Sequence, residues 1–200
     1  MNPTTHIDPK LVKTLREKTN AGMMDCKNAL EEAKGNLEEA ERILRKKLNL
    51  AASRKSDRVA KEGTIASYIH LGGKVGVLLE VNCETDFVAK NENFRDFVKD
   101  ITLHIAAANP LYVSRDEVPE SVLKVEREIA ADQVKGKPAA VAEKIIQGKV
   151  DKYYASACLL DQPFIKDQNV TVGELLRMKI GEIGENMIIR RFVRYAVGEV

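Results

Sequence analysis

The chain has 200 residues, 44% hydrophobic and 31% charged, which allows one substantial core or two modest ones. A net charge of +2, 5% aromatics and no tryptophan argue against a molecule built throughout for nucleic acid and against base-stacking platforms. No apolar run reaches the roughly 20 residues that span a bilayer. Met1–His6 has neither the basic nor the apolar region of a secretory signal, and Cys26, Cys83 and Cys158 are too few and scattered for a disulfide framework, so reduced thiols in a cytoplasmic protein are expected.

The first fifty residues predict three short helices. Asp8 caps the first, with Pro9 at its opening position and Leu11, Val12 and Leu15 on one face. Asn20-Ala21-Gly22 breaks it. A second helix is expected over about Asp25–Ala33, with Ala29, Leu30 and Ala33 inward and Gly35 beyond its end. Asn36 and Glu39 form a capping-box pair for a third, whose Leu37, Ala40, Ile43, Leu44 and Leu48 share a side. The basic stretch from Arg42 to Lys61 reads as a solvated linker helix rather than a nucleic-acid patch, because Asp57 and Glu62 dilute it and no aromatic interleaves it.

Gly63–His70 and Lys74–Asn82 predict a β-hairpin around Leu71-Gly72-Gly73, with Val75, Val77, Leu79 and Val81 alternating on one face. The strand ends at Cys83-Glu84-Thr85-Asp86-Phe87-Val88. Thr85 suits a helix N-cap and Asp86 the positive end of the helix. Phe87 at this corner either plugs the chain's own core or anchors a partner, and the plug is the commoner outcome for an aromatic. Phe94, Phe97, Val98, Ile101, Ile105 and Ala108 then repeat at helical spacing until Asn109-Pro110.

Pro119 to about Leu160 predicts an antiparallel helical hairpin turning at Gly136-Lys137-Pro138, with Val122, Val125 and Ile129 lining one helix and Ile145, Ile146, Val150 and Tyr153 the other. Gln162-Pro163-Phe164 returns the chain to the body. Thr171 and Glu174 open a further helix as a capping box, and Gly181 and Gly184 are expected to end it. A final strand over Met187–Val197 is expected to place Met187, Ile189, Val193, Tyr195 and Val197 on one face and to pair with the earlier hairpin. The pattern is α+β.

No residue set predicts covalent chemistry. His6, His70 and His104 have no metal-ligand spacing. His104 falls on an apolar stripe, where a buried, satisfied imidazole is the default. Cys83 lies in a strand-like run without a base, which predicts an inert thiol. Phosphate-loop, dinucleotide and nucleophile-elbow motifs are absent from the sequence. The chain reads as a binding protein that needs no cofactor.

Two segments, Leu15-Arg16-Glu17-Lys18-Thr19-Asn20-Ala21-Gly22-Met23-Met24-Asp25-Cys26-Lys27-Asn28-Ala29-Leu30 and Glu80-Val81-Asn82-Cys83-Glu84-Thr85-Asp86-Phe87-Val88-Ala89-Lys90, resemble the elongation factor Ts family. The similarity continues through His104-Ile105-Ala106-Ala107, Gln162-Pro163-Phe164 and Gly184-Glu185-Asn186. The resemblance implies a three-helix module of ubiquitin-associated type over 1–52, a basic linker over 53–62, and an α+β core over 63–200 carrying the helical hairpin at about 119–160. It implies a guanine-nucleotide exchange factor for elongation factor Tu. Thr85, Asp86, Phe87 and Val88 would then displace the partner's Mg²⁺, with the aromatic wedged between two helices of its G domain. Met23, Met24, Lys27, His104 and Ile165 would be partner contacts. The chain has one core lobe where longer members have two, which by resemblance implies a homodimer. Neither a membrane nor direct nucleic-acid contact is expected.

Overall fold

A computed structural model of the chain describes residues 7–19 and 21–199. Met1–His6, Asn20 of the predicted break and Val200 lie outside the described residues. The N-terminal helices are α1 (Pro9–Thr19), α2 (Met23–Glu32) and α3 (Leu37–Ser53). Val12, Leu15, Cys26, Ala29, Leu30, Ala40 and Leu44 bury one another between them. The Asp8 carboxylate accepts from the Lys10 N–H at 2.9 Å, as a cap should. At α3 only half of the predicted box forms. Asn36 Oδ1 accepts from the Glu39 N–H, while the Glu39 carboxylate turns to Arg42.

The chain continues through β1 (Glu62–Ile69), β2 (Val75–Cys83), α4 (Asp86–Ala89), α5 (Glu92–Ala108), α6 (Glu120–Asp132), α7 (Ala139–Ala157), β3 (Pro163–Phe164), β4 (Asp167–Thr171), α8 (Val172–Ile183) and β5 (Met187–Ala196). β2 lies between β1 and β5, antiparallel to both. Val77, Leu79, Val81 and Cys83 of β2 face inward onto Phe94, Phe97, Ile101 and Ile105 of α5, and α8 closes the same core with Val172 and Ile180. Gly63 makes the close pairing of β1 with β2 possible: at φ +143° its Cα passes so near the Val81 carbonyl that a Cβ would sit 2.2 Å from that oxygen. Ala108, expected on the inner stripe of α5, is exposed in the helix's last turn.

The final strand departs from its predicted alternation. Glu80 pairs with Arg191 but Val81 pairs with Ile189, so Arg190 is an extra residue in a β-bulge. One inserted residue reverses the parity of everything beyond it. Met187 and Ile189 face the core as expected. Past the bulge Phe192 packs inward, whereas Val193 and Tyr195 point to the outer face, opposite to the sequence expectation, and Val197 is exposed beyond the strand's end.

Three other expectations are corrected. Gly181 does not end α8, which runs on to Ile183 and stops at Gly184 in the left-handed region. Gly181 instead lets α8 approach α3: a Cβ there would lie 2.8–2.9 Å from the Leu48 side chain and carbonyl. The linker is not helical either. α3 ends at Ser53 and residues 54–58 turn, because the Asn186 amide donates to the Ser56 and Arg58 carbonyls at 3.2 and 2.7 Å and takes acceptors that a continuing helix would use. In the helical hairpin α6 buries Leu123 and Ala130, while Val125 and Ile129 of the predicted face stay exposed. Arg115 braces the hairpin's base, gripping Asp161 at 2.6 and 2.8 Å and lying over the Tyr154 ring at 4.7 Å.

Candidate functional site

The corner after β2 is built from its backbone outward. Thr85 is extended, at φ −129° and ψ 155°, and its Oγ1 accepts from the Val88 N–H at 3.4 Å, capping α4. Val88 and Ala89 pack against the main core. In a single helical turn anchored on those two, the preceding positions must face outward. Phe87 accordingly stands 79% exposed, so it does not plug its own core. Beside it Asp86 pairs with Lys90 at 2.7 Å, and that hydrogen bond holds the Asp86 carboxyl below its ordinary range.

What holds this turn in place comes from the far end of the chain. The Glu84 and Thr85 N–H groups donate to Glu185 Oε2 at 3.2 and 3.0 Å, and the Thr85 hydroxyl donates to Glu185 Oε1 at 2.7 Å. The neighbouring Asn186 N–H donates to Glu84 Oε1 at 2.6 Å, and Arg58 lies 3.6 Å from the same oxygen. The Gly184-Glu185-Asn186 turn thus ties together the segment after α3, the corner and the start of β5. Sequence reasoning gave Gly184 the end of the helix, as observed, but reached Glu185 and Asn186 only as part of the resemblance and assigned them no role. Their partners are about a hundred positions away, and the sole local signal is a polar pair between a helix-ending glycine and a strand.

Met23 and Met24, 53% and 63% exposed, occupy the first turn of α2 rather than the break before it. Lys27, one turn on from Met23, reaches Glu31 at 3.8 Å. These three share one helix end, and Thr85–Val88 form a second group. The remaining two, His104 and Ile165, are in contact with each other. The imidazole is 1% exposed. Its Nδ1 accepts from the Ile165 N–H at 3.2 Å, so Nε2 carries the proton and donates to Gln162 Oε1 at 2.9 Å. Burial pushes its pKa below the ordinary value. His104 therefore holds the β3–β4 turn from within, and Ile165, 43% exposed, is the surface residue of the pair.

Cys83 is buried, with its thiol pushed up to about 11, first by burial and then by the charge of Glu185, which removes the thiolate that nucleophilic chemistry needs. Much of the basic segment is neutralised within the chain: Arg42 pairs with Glu39, Arg45 with Glu41, Lys47 with Glu32 and Arg58 with Glu84. Among the described residues no helix is long and apolar enough to cross a membrane.

The corner thus presents an exposed aromatic on a capped turn, flanked by one carboxylate and tied down by a distant one. A sequence model of the family described as Elongation factor TS matches residues 8–199. The protein named Elongation factor Ts from Alkaliphilus oremlandii is 56% identical over 195 residues, covering 96% of this chain and 90% of that protein. Its namesake from Geotalea uraniireducens is 58% identical over 190 residues, 94% of this chain and 88% of that protein. The one from Thermoanaerobacter is 53% identical over 195 residues and covers 96% of each. With the match spanning both the helical module and the α+β core, this chain belongs to the elongation factor Ts family.

Proposed function

We propose that this chain is a translation elongation factor that promotes guanine-nucleotide release from elongation factor Tu, with Phe87 as a wedge entering the partner's G domain. The observation that carries the reading is the exposure of Phe87 on a turn whose neighbours are fixed. Nucleotide affinity in such a GTPase rests strongly on the Mg²⁺ that bridges the phosphates to the protein. A wedge that parts two packed helices needs only a small displacement to disturb that site, because packed interiors switch rather than flex. By reciprocity, a factor that weakens GDP binding is itself weakened by GDP, so it turns over without breaking a covalent bond. Burying one Phe contributes about 1.5–3 kcal/mol. That supports a coupling of roughly ten- to a hundredfold, so larger accelerations need further contacts, for which Met23, Met24, Lys27 and Ile165 supply exposed side chains. The setting is the cytoplasm, where Tu operates.

The test is release of labelled GDP from elongation factor Tu across a range of Mg²⁺ concentrations. Wild type is expected to accelerate release most at high Mg²⁺ and least when the ion is chelated. Phe87→Ala is expected to lose about ten- to a hundredfold of that stimulation with a nearly unchanged thermal midpoint, since the side chain is largely exposed in the free chain. Full stimulation by a folded Phe87→Ala variant would sink the wedge.

The same reading includes a homodimer. The outer face of the sheet carries Ile65, Leu78, Val193 and Tyr195 in adjacent registers, with Leu78 opposite Val193 and the Glu80–Arg191 ion pair at 2.6 Å on its flank. A two-fold pairing of this face with itself covers four large apolar side chains per copy.

A further inference from the structure

We propose that Glu185 is a positioning residue for exchange: its carboxylate fixes the angle at which α4 presents Phe87. The inference rests on the wedge reading above and assigns the part of the chain that aims it. α4 is a single turn, too short to hold its own direction by helix cooperativity. Val88 and Ala89 give it a floor, but contacts made by two small apolar side chains permit rocking. The direction comes from the entry to the turn, where Glu185 accepts from two consecutive backbone N–H groups and from the Thr85 hydroxyl. Three donors converging on one ionised carboxylate are charge-assisted and directional. Glu185 is itself held between Gly184, which ends α8 in the left-handed region, and Asn186, which is buried and bonded to Glu84, Ser56 and Arg58. The carboxylate is therefore a fixed point. The corner's own two acids are already committed, Glu84 to the Asn186 N–H and Arg58, and Asp86 to Lys90. Removing the carboxylate leaves Thr85 capping α4 but frees the backbone before it, so Phe87 meets its partner over a spread of angles. A wedge held loosely loses the transition it is meant to drive, because the entropy of ordering it must then be met on contact.

The experiment uses the full chain in four forms besides wild type: Glu185→Ala, Glu185→Gln, Phe87→Ala and the Phe87→Ala/Glu185→Ala double variant. Each is assayed for stimulated GDP release from elongation factor Tu and for amide hydrogen exchange at Glu84 and Thr85. Glu185→Ala is expected to lose about tenfold in stimulation, because the freed turn must then be ordered on contact with the partner. Glu185→Gln, which keeps one accepting oxygen and its packing, falls between it and wild type. Exchange of the Glu84 and Thr85 amides accelerates in both while amides of α5 and β2 stay protected. The double variant is expected to be no slower than Phe87→Ala alone, since a lost aim costs nothing once the wedge is gone. Additive losses, or wild-type stimulation by Glu185→Ala beside an impaired Phe87→Ala, would overturn the positioning role and leave the wedge standing. Unimpaired Phe87→Ala would remove the wedge itself, and with it the positioning role in exchange. Should Glu185→Ala fail to fold, Glu185→Gln carries the same comparison.

Discussion

His104 shows how a single side chain can look like a site and act as a brace. Its ring is neutral because Nδ1 must accept from the Ile165 amide while Nε2 donates to Gln162. Phe164 packs 6.0 Å from it, centroid to centroid. Acid would place a second proton against an N–H that already points at Nδ1. Burial accordingly lowers the pKa from 6.5. The unfolded chain then takes up the proton first, so this contribution to stability is complete above about pH 6.5 and is lost as pH falls through the lower, folded value. The thermal midpoint of wild type is expected to drop below pH 6.5 more steeply than that of His104→Gln. Equal slopes would remove the argument. Comparing the two chains cancels the contribution of Glu182, whose carboxyl burial pushes up and which therefore acts with the opposite sign. The residue type and its apolar stripe were legible in the sequence. Its two hydrogen-bond partners were not, because they lie 58 and 61 positions away.

Among the elements, glycine meaning depends on what lies opposite. Gly181 and Gly148 both sit inside helices, and the sequence does not show what either one faces. A Cβ at Gly181 in α8 would meet the Leu48 carbonyl at 2.9 Å, and backbone cannot move aside cheaply. Gly148 in α7 faces open space. Gly181→Ala is therefore expected to destabilise by about 1–3 kcal/mol from overpacking, offset in part by the roughly 1 kcal/mol that alanine gains over glycine in a helix. Gly148→Ala should stabilise by about 0.5–1 kcal/mol. Urea unfolding of the two variants checks both signs, and a stabilised Gly181→Ala would contradict the close approach of α3 and α8. The β5 bulge teaches the same lesson for strands. Its apolar residues announced a strand, but which of them face inward was set by Arg190, an extra residue that only pairing with β2 reveals.

For the molecule as a whole, the bulge decides what surface is left to share. By turning Val193 and Tyr195 outward it completes the apolar outer face with Ile65 and Leu78. If two copies meet there, Leu78→Glu places a charge at the centre of the interface and is expected to convert a dimer into a monomer in sedimentation equilibrium. The thermal midpoint of the monomeric chain should change by no more than about 1 kcal/mol equivalent, because Leu78 lies half exposed on the outer face rather than in the core. A wild-type chain that sediments as a monomer at high concentration would end that proposal. The N-terminal helices are bound into the same body, since Ala52 lies in the main core and Leu48 seats on Gly181.

The sequence by itself determined the helices outside the linker, the hairpin, the capped corner and the family, since these rest on local spacing, caps and contiguous motifs. Only the tertiary structure decided that Phe87 faces solvent, which groups the His104 ring braces, and that Glu185 holds the corner. Each of those depends on which distant backbone groups and side chains come to lie against the residue, and local periodicity carries no record of a partner far along the chain.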